Sequence, residues 1–436
     1  MSALRIALAC MTPTPDGGEL DGATLPSYGI RRVLAAVAGD PALAHARIAV
    51  VDFARPDPQA YVDALLQFEP DLVGFSIYVW STPCLVEVAR RIKRARPACA
   101  VVFGGPSARR ELFDLPAYAP AHDYMDALVS SEGEAVFQDV ARLPVFTHAA
   151  LRGVAGLHLP TPEGWLQTAH RDPIADLDAI ASPFQLGLMP RGSVAYLETY
   201  RGCPMSCRFC EWGAAETSRA VFSADYIERE LRAFRDHGVP SVFLLDAGLN
   251  LNARGFRNLV EAEARTGLFQ SADLWAEIYP THIRREHLDF LSRVRASYLG
   301  VGLQSLDPDV LREHDRPFDR SRFERAMRDL VTVATPELQI IFGLPGDSPE
   351  GFLRTLEYAR SFRVGVRAYH CLVLPDALLS RARAGWDMRF DPQTLAMIAC
   401  RGWSEEDILR TRDMLSRETA AAGGRAGRYW WSFPPR

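Results

Sequence analysis

The chain of 436 residues is long enough for two or three domains with cores of their own. Its 48% hydrophobic and 24% charged content is ordinary for a globular protein, and a formal net charge of -5 gives no general attraction to nucleic acid or to an anionic membrane. Eight cysteines in this length do not make a disulfide framework; they fit a reducing cytoplasm and a metal or redox site.

The opening "MSALRIALACMTPTPDGG" reads as a first strand rather than a signal peptide, because acidic and turn-forming residues quickly follow its short apolar run. No run in the chain reaches transmembrane length. Over residues 4–142 the apolar runs "LRIALAC", "ARIAVVDF", "DLVGFSIYV", "CAVVFGG" and "DALVS" alternate with stretches whose apolar residues recur at helical spacing, such as "CLVEVARRIKRA". This alternation predicts a doubly wound, flavodoxin-like (Rossmann-type) α/β domain over 1–142, with ligands beyond the carboxyl ends of its strands. Residues 143–192 break the rhythm with a hairpin-like "GVAGLHLPTPEGWLQTAH" and a Pro- and Gly-rich crossing segment, and are expected as a linker.

Alternation returns over 193–375. Six strand candidates, "SVAYLETY", "SVFLLDA", "ADLWAEIY", "SYLGVGLQS", "ELQIIFGL" and "RAYHCLVL", predict a partial (β/α)6 barrel of TIM type with its active site at the carboxyl ends of the strands. Residues 376–436 are expected as a helical extension. It ends in "RYWWSFPPR", whose Tyr429, Trp430 and Trp431 either stack on a ring or, the simpler reading, pack against the barrel's open edge.

Directly after the first barrel strand, "YLETYRGCPMSCRFCEWG" places Cys203, Cys207 and Cys210 in a C-x3-C-x2-C array. Three thiolates leave one corner of a four-iron cluster open for a small ligand. Zinc would call for a fourth ligand and more often uses C-x2-C pairs. The single lysine, Lys93, lies in no Gly-Lys-Ser/Thr sequence, so a P-loop is excluded.

The spacing of the triplet, with Phe209 before its last cysteine, resembles the radical S-adenosylmethionine (SAM) family. The resemblance implies that Cys203, Cys207 and Cys210 bind a [4Fe-4S] cluster whose open iron is chelated by the methionine part of SAM. It extends to "FLLDAGLNLN" (Asp246, Gly248, Asn250), to "LWAEIYP" (Glu277), to "GVGLQSLDPDVLREHDR" (Gln304, Ser305) and to "IIFGLPGDSPEGF". Phe209, Asp246, Gly248, Asn250, Gln304 and Ser305 are accordingly expected at SAM, with Glu277 and Gln304 as catalytic residues. The sixth strand departs from the family pattern, reading "LVLPDALL" where Pro-Gly-Thr is common.

A doubly wound domain ahead of such a barrel resembles the cobalamin-binding subgroup, and assigns Ser76, Gly104, Gly105 and Pro106 to cobalamin. An Asp-x-His-x-x-Gly motif for cobalt's lower face is not found, and the first loop, residues 10–29, contains no histidine. The resemblance implies a C-methyltransferase for a small molecule or natural-product intermediate. It would use a cluster, SAM, methylcobalamin and an external one-electron reductant of flavodoxin or ferredoxin type, with no DNA or membrane partner. The alternatives are a ring contraction, cyclisation or rearrangement on the same cofactors, a tRNA methylthiotransferase-like enzyme, and a non-enzymatic iron-sulfur sensor or carrier. A sensor would show four protein ligands and no large cavity.

Overall fold

The computed structural model describes residues 3–12, 25–129, 131–213 and 220–435, and divides into two compact units near Ser193 and Val194. Among the described residues no helix is long and apolar enough to cross a membrane.

In the first unit the predicted runs form strands β1 (Arg5–Met11), β2 (Arg47–Phe53), β3 (Leu72–Ser76), β4 (Ala100–Gly104) and β5 (Ala127–Val129). Helices α1 (Tyr28–Ala38), α2 (Pro58–Phe68), α3 (Thr82–Ala95), α4 (Arg110–Phe113) and α5 (Gly133–Ala141) fall between and after them. Start signals in the sequence set the helix boundaries: Asp57 caps α2 by accepting from the Gln59 and Ala60 amides, with Pro58 at the first helical position. The strand order β2-β1-β3-β4-β5, all parallel, is the flavodoxin-like arrangement. Ile6, Leu8, Val102, Val136 and Phe137 lie in one buried cluster, where each such side chain contributes roughly 1.5–3 kcal/mol.

Segment 143–192, expected as a linker, belongs to this unit instead. After the short α6 (His148–Leu151), β6 (Leu157–Thr161) and β7 (Gly164–Gln167) form the anticipated hairpin, and β6 pairs antiparallel with β5. The hairpin extends the sheet to seven strands.

The second unit carries six parallel strands: β8 (Ala195–Leu197), β9 (Ser241–Leu244), β10 (Asp273–Ile278), β11 (Ser297–Gln304), β12 (Thr335–Phe342) and β13 (Gly365–His370). Helices α7 (Ala224–His237), α8 (Ala253–Thr266), α9 (Arg285–Leu291), α10 (Pro308–Glu313), α11 (Arg320–Leu330) and α12 (Pro349–Ser361) connect them. β11 and β12 alternate between buried residues and half-buried ones, with Thr335 at the start of β12 exposed. The buried set faces the helices, as the contact of the Phe342 and Phe352 rings shows. The other set, including Gly300, Gly302, Gln304 and Gln339, lines the inner face together with Glu277 of β10.

The tail is not only helical. A small ladder of β14 (Arg389–Phe390) and β15 (Met397–Ala399) precedes α13 (Glu405–Ala421), and β16 (Arg425–Ala426) and β17 (Trp430–Phe433) follow it. β17 pairs antiparallel with β13, so the aromatic "RYWWSF" run supplies a strand at the barrel's last edge.

Candidate active site

The carboxyl ends of β8 to β11 are laced together by buried polar side chains. Asp246, past β9, accepts from the Thr199 amide (2.8 Å), the Tyr200 amide (3.4 Å) and the Thr199 hydroxyl. Tyr200 donates to the Gly248 carbonyl at 2.8 Å. Asn250 is paired at both ends of its amide with the Tyr279 backbone, at 2.8 and 2.9 Å. Ser305 donates to Asp347 at 2.9 Å and accepts from the Asp307 amide at 3.2 Å. These four predicted site residues therefore frame the mouth through internal bonds.

Burial pushes the Asp246 carboxyl up to about 7, against the pull of its hydrogen bonds. A proton held in the folded chain but released when unfolded favours folding in acid. This contribution is complete below the ordinary value of 3.8 and is lost as pH rises through about 7. Asp246→Asn keeps an acceptor for the Thr199 amide and is expected to flatten that pH slope in urea titrations. Asp246→Ala strands two buried amides, at about 1–3 kcal/mol each.

The cysteine loop follows β8. The Met205 amide donates to Cys203 Sγ at 3.4 Å, and the Cys210 amide donates to the Cys207 carbonyl at 3.1 Å. A Cβ at Gly213 would collide with the Met205 carbonyl, so glycine closes the loop. Burial pushes the Cys203 thiol up and that of Cys210 up to about 12, and the neighbouring Cys207 adds to both. Among the described residues no three His, Cys, Asp or Glu side chains gather as one metal ion requires. Three thiols on one loop supply three of the four ligands of a [4Fe-4S] cluster and leave one iron open, so the donor set fits such a cluster. Binding iron would deprotonate thiols that burial keeps protonated.

Arg316 completes this corner and was not singled out from sequence. It reaches Cys207 Sγ at 3.9 Å, donates to the Gly302 carbonyl at 2.8 Å and lies over the Tyr279 ring at 4.4 Å. Its charge lowers the pKa of Cys203 and Cys210 against the effect of burial. The available signal was an arginine just past the fourth-strand helix, in "REHDR". Phe209 is half-buried and packs its ring 5.8 Å from that of His314.

Glu277 and Gln304 share the inner face. Glu277 accepts from Gln339 Nε2 at 2.9 Å, and burial raises its carboxyl pKa. A Cβ at Gly300 would collide with this carboxylate and with Gln339, while one at Gly302 would lie 2.6 Å from Gln304 Nε2 and 3.0 Å from Arg316 Nη2. The glycines of "GVGLQ" therefore leave the room that Glu277, Gln304 and Arg316 occupy. Gln304 sits at φ 67, where the β11–β12 register shifts. A left-handed non-glycine residue costs of order 1 kcal/mol and marks a candidate functional position. Nearer the amino ends, Tyr196, Phe243, Trp275 and Tyr298 pair in register as one aromatic row across β8–β11.

In the first unit, Ser76 and Gly104 pair at the carboxyl ends of β3 and β4, and Gly105 and Pro106 follow exposed to solvent. Gly105 has φ 101, and a Cβ there would lie 2.8 Å from the Ile77 amide nitrogen, so the turn itself demands glycine. At Gly104 a Cβ would meet only Val129, at an ordinary 3.6 Å. This turn lies beyond the carboxyl ends of the strands, where doubly wound sheets bind their ligands. Trp80, 47% exposed and stacked on Tyr78 at 4.6 Å, stands past the end of β3 and was not singled out from sequence. Residues 13–24 of the histidine-free first loop lie outside the described residues.

Residues 197–359 match the Radical SAM superfamily and residues 20–141 the B12 binding domain. The chain carries a radical SAM domain and a B12-binding domain. The first family implies a [4Fe-4S] cluster and SAM, and the second implies cobalamin. The chain is 29% identical over 362 residues to the 2-(S-pantetheinyl)-carbapenam-3-carboxylate methyltransferase of Streptantibioticus cattleyicolor, covering 75% of this chain and 51% of that one. It is 27% identical over 349 residues to the cobalamin-dependent radical SAM methyltransferase TokK of Streptomyces tokunonensis, covering 72% and 48%. The chain thus spans about half the length of these curated relatives. The radical SAM methyltransferase TsrM of Kitasatospora setae, solved with cobalamin and a [4Fe-4S] cluster, shares the fold at a TM-score of 0.65 and 15% identity, over 91% of this chain and 81% of that one.

Proposed function

We propose that this chain is a cobalamin-dependent radical SAM C-methyltransferase acting on a small molecule or natural-product intermediate. The observation that carries the reading is the three-thiol loop at the mouth of a parallel barrel, in a chain that also bears a B12-binding domain. Two relatives named as methyltransferases support methyl transfer over rearrangement.

When bound, the cluster, SAM and cobalamin supply radical generation and a carried methyl group. Cys203, Cys207 and Cys210 hold the iron. Arg316, Gln304 and Glu277 offer a guanidinium, an amide and a carboxyl side by side for the polar groups of SAM, and Phe209 lies on the same loop as the thiols. Asp246, Gly248, Asn250 and Ser305 keep the surrounding strand ends in place. The aromatic row beneath Glu277 gives an apolar surface for substrate. Ser76, Gly104, Gly105 and Pro106, with Trp80, are the residues assigned to cobalamin. All eight cysteines are free, in keeping with a reducing cytoplasm and an electron donor of flavodoxin or ferredoxin type.

Incubating the reduced, cobalamin-loaded protein with methyl-labelled SAM and candidate small molecules tests the reading. Label is expected on carbon of one product, with 5′-deoxyadenosine and S-adenosylhomocysteine formed alongside. A modified product without label would establish a rearrangement instead. Because the fold itself does not require glycine at position 104, Gly104→Val should leave the melting temperature unchanged while weakening retention of hydroxocobalamin through gel filtration. Retention equal to wild type would remove Gly104 from the corrin site.

A further inference from the structure

The segment after β13, where "LVLPDALL" departs from the family pattern, turns back to the cysteine loop. Beyond the short turn Pro375–Leu379, Arg381 donates to the Ser206 carbonyl at 3.3 Å, the Cys207 carbonyl at 3.0 Å and the Cys210 carbonyl at 2.5 Å. The grip is mutual, since Arg208 of the loop donates to the Arg381 carbonyl at 3.0 Å. Arg208 also pairs with Asp315 at 2.7 Å, and Arg383 joins the same carboxylate at 3.1 Å. One planar guanidinium thus spans the carbonyls of two of the three thiol-bearing residues.

We propose that Arg381 is the positioning residue of the cysteine loop: its fork fixes the loop from Ser206 to Cys210 in the shape that receives the cluster, and holds a positive charge beside it. This rests on the cluster reading above. Lysine cannot reproduce the fork, because an ammonium is a point charge without planar, multidentate geometry. Charge and hydrogen bonding around a cluster also set its reduction potential, and a nearby cation favours the added electron.

The test uses the full chain, reconstituted anaerobically with iron and sulfide, as wild type, Arg381→Met, Arg381→Lys and Arg389→Met. The last removes an exposed arginine paired with Glu405 at 3.1 Å and serves as control. Iron release to a chelator should be about ten- to a hundredfold faster in Arg381→Met, as expected for losing charge-assisted bonds, and intermediate in Arg381→Lys. The reduction potential should fall in Arg381→Met but stay near wild type in Arg381→Lys, which a merely structural role would not produce. If Arg381→Met does not fold, release and potential in Arg381→Lys decide the matter. A wild-type chain that assembles a cluster while both variants match it in release and potential overturns this inference alone. A wild-type chain that assembles no cluster overturns the reading beneath it, and the inference with it.

Discussion

Replacing Cys203, Cys207 and Cys210 together by alanine is expected to remove the cluster, about four irons per chain, and to abolish reductive cleavage of SAM. Once the three are replaced, no cysteine remains on the loop to bind iron. The fold should survive, since these thiols lie on a loop held at Thr199 and Tyr200 by Asp246 and at its carbonyls by Arg381, rather than in the strand core. Unchanged far-ultraviolet circular dichroism with no iron-dependent absorbance is the expected result. A triple variant that still yields 5′-deoxyadenosine from SAM would refute the assignment.

The second large effect lies at Glu277 on β10 and Gln304 on β11. Glu277→Ala removes the acceptor of Gln339, and Gln304→Ala removes the amide beside Arg316 and Gly302. Each should slow SAM turnover by about five- to hundredfold, the equivalent of roughly 1–3 kcal/mol for a buried hydrogen bond acting in the transition state. Iron content should stay at the wild-type level, since neither side chain replaces a thiol. Gln304→Gly sharpens the separation, because it relieves a residue held at φ 67 and should raise the melting temperature while lowering turnover. Loss of iron or of folding in the alanine variants, with normal turnover by what remains, would make both residues scaffold.

Most of the fold was legible because the two periodicities are strong. Runs such as "RIALACM" are continuously apolar because a parallel strand is covered on both faces, and the barrel strands alternate because one face stays open. The hairpin β6–β7 was read correctly, but its place in the sheet was not. Pro160 and the short strands carry no signal for pairing with a strand nearly thirty residues earlier. The tail misled in a similar way: the helical pattern of "EEDILRTRDML" dominates, and only the pairing with β13 makes "WWSF" a strand.

The site was legible where spacing alone carries chemistry, as in the cysteine triplet, and less so elsewhere. Asp246, Asn250 and Ser305 stand at strand ends, where a polar residue can serve a ligand or lace neighbouring strands, and their partners are set by tertiary structure. Arg316 and Arg381 escaped notice because they answer to a sulfur 109 residues away and to carbonyls more than 170 residues away. Hydrogen bonds to backbone leave no trace in sequence pattern.

The most direct test of the central claim is the electron paramagnetic resonance spectrum of the reduced, reconstituted wild-type chain, recorded with and without SAM. Three thiolate ligands and an open iron predict that SAM changes the cluster's spectrum by binding to it. A spectrum identical in the two samples, at SAM concentrations that saturate the chain, would mean a cluster closed to the cofactor and would contradict the account.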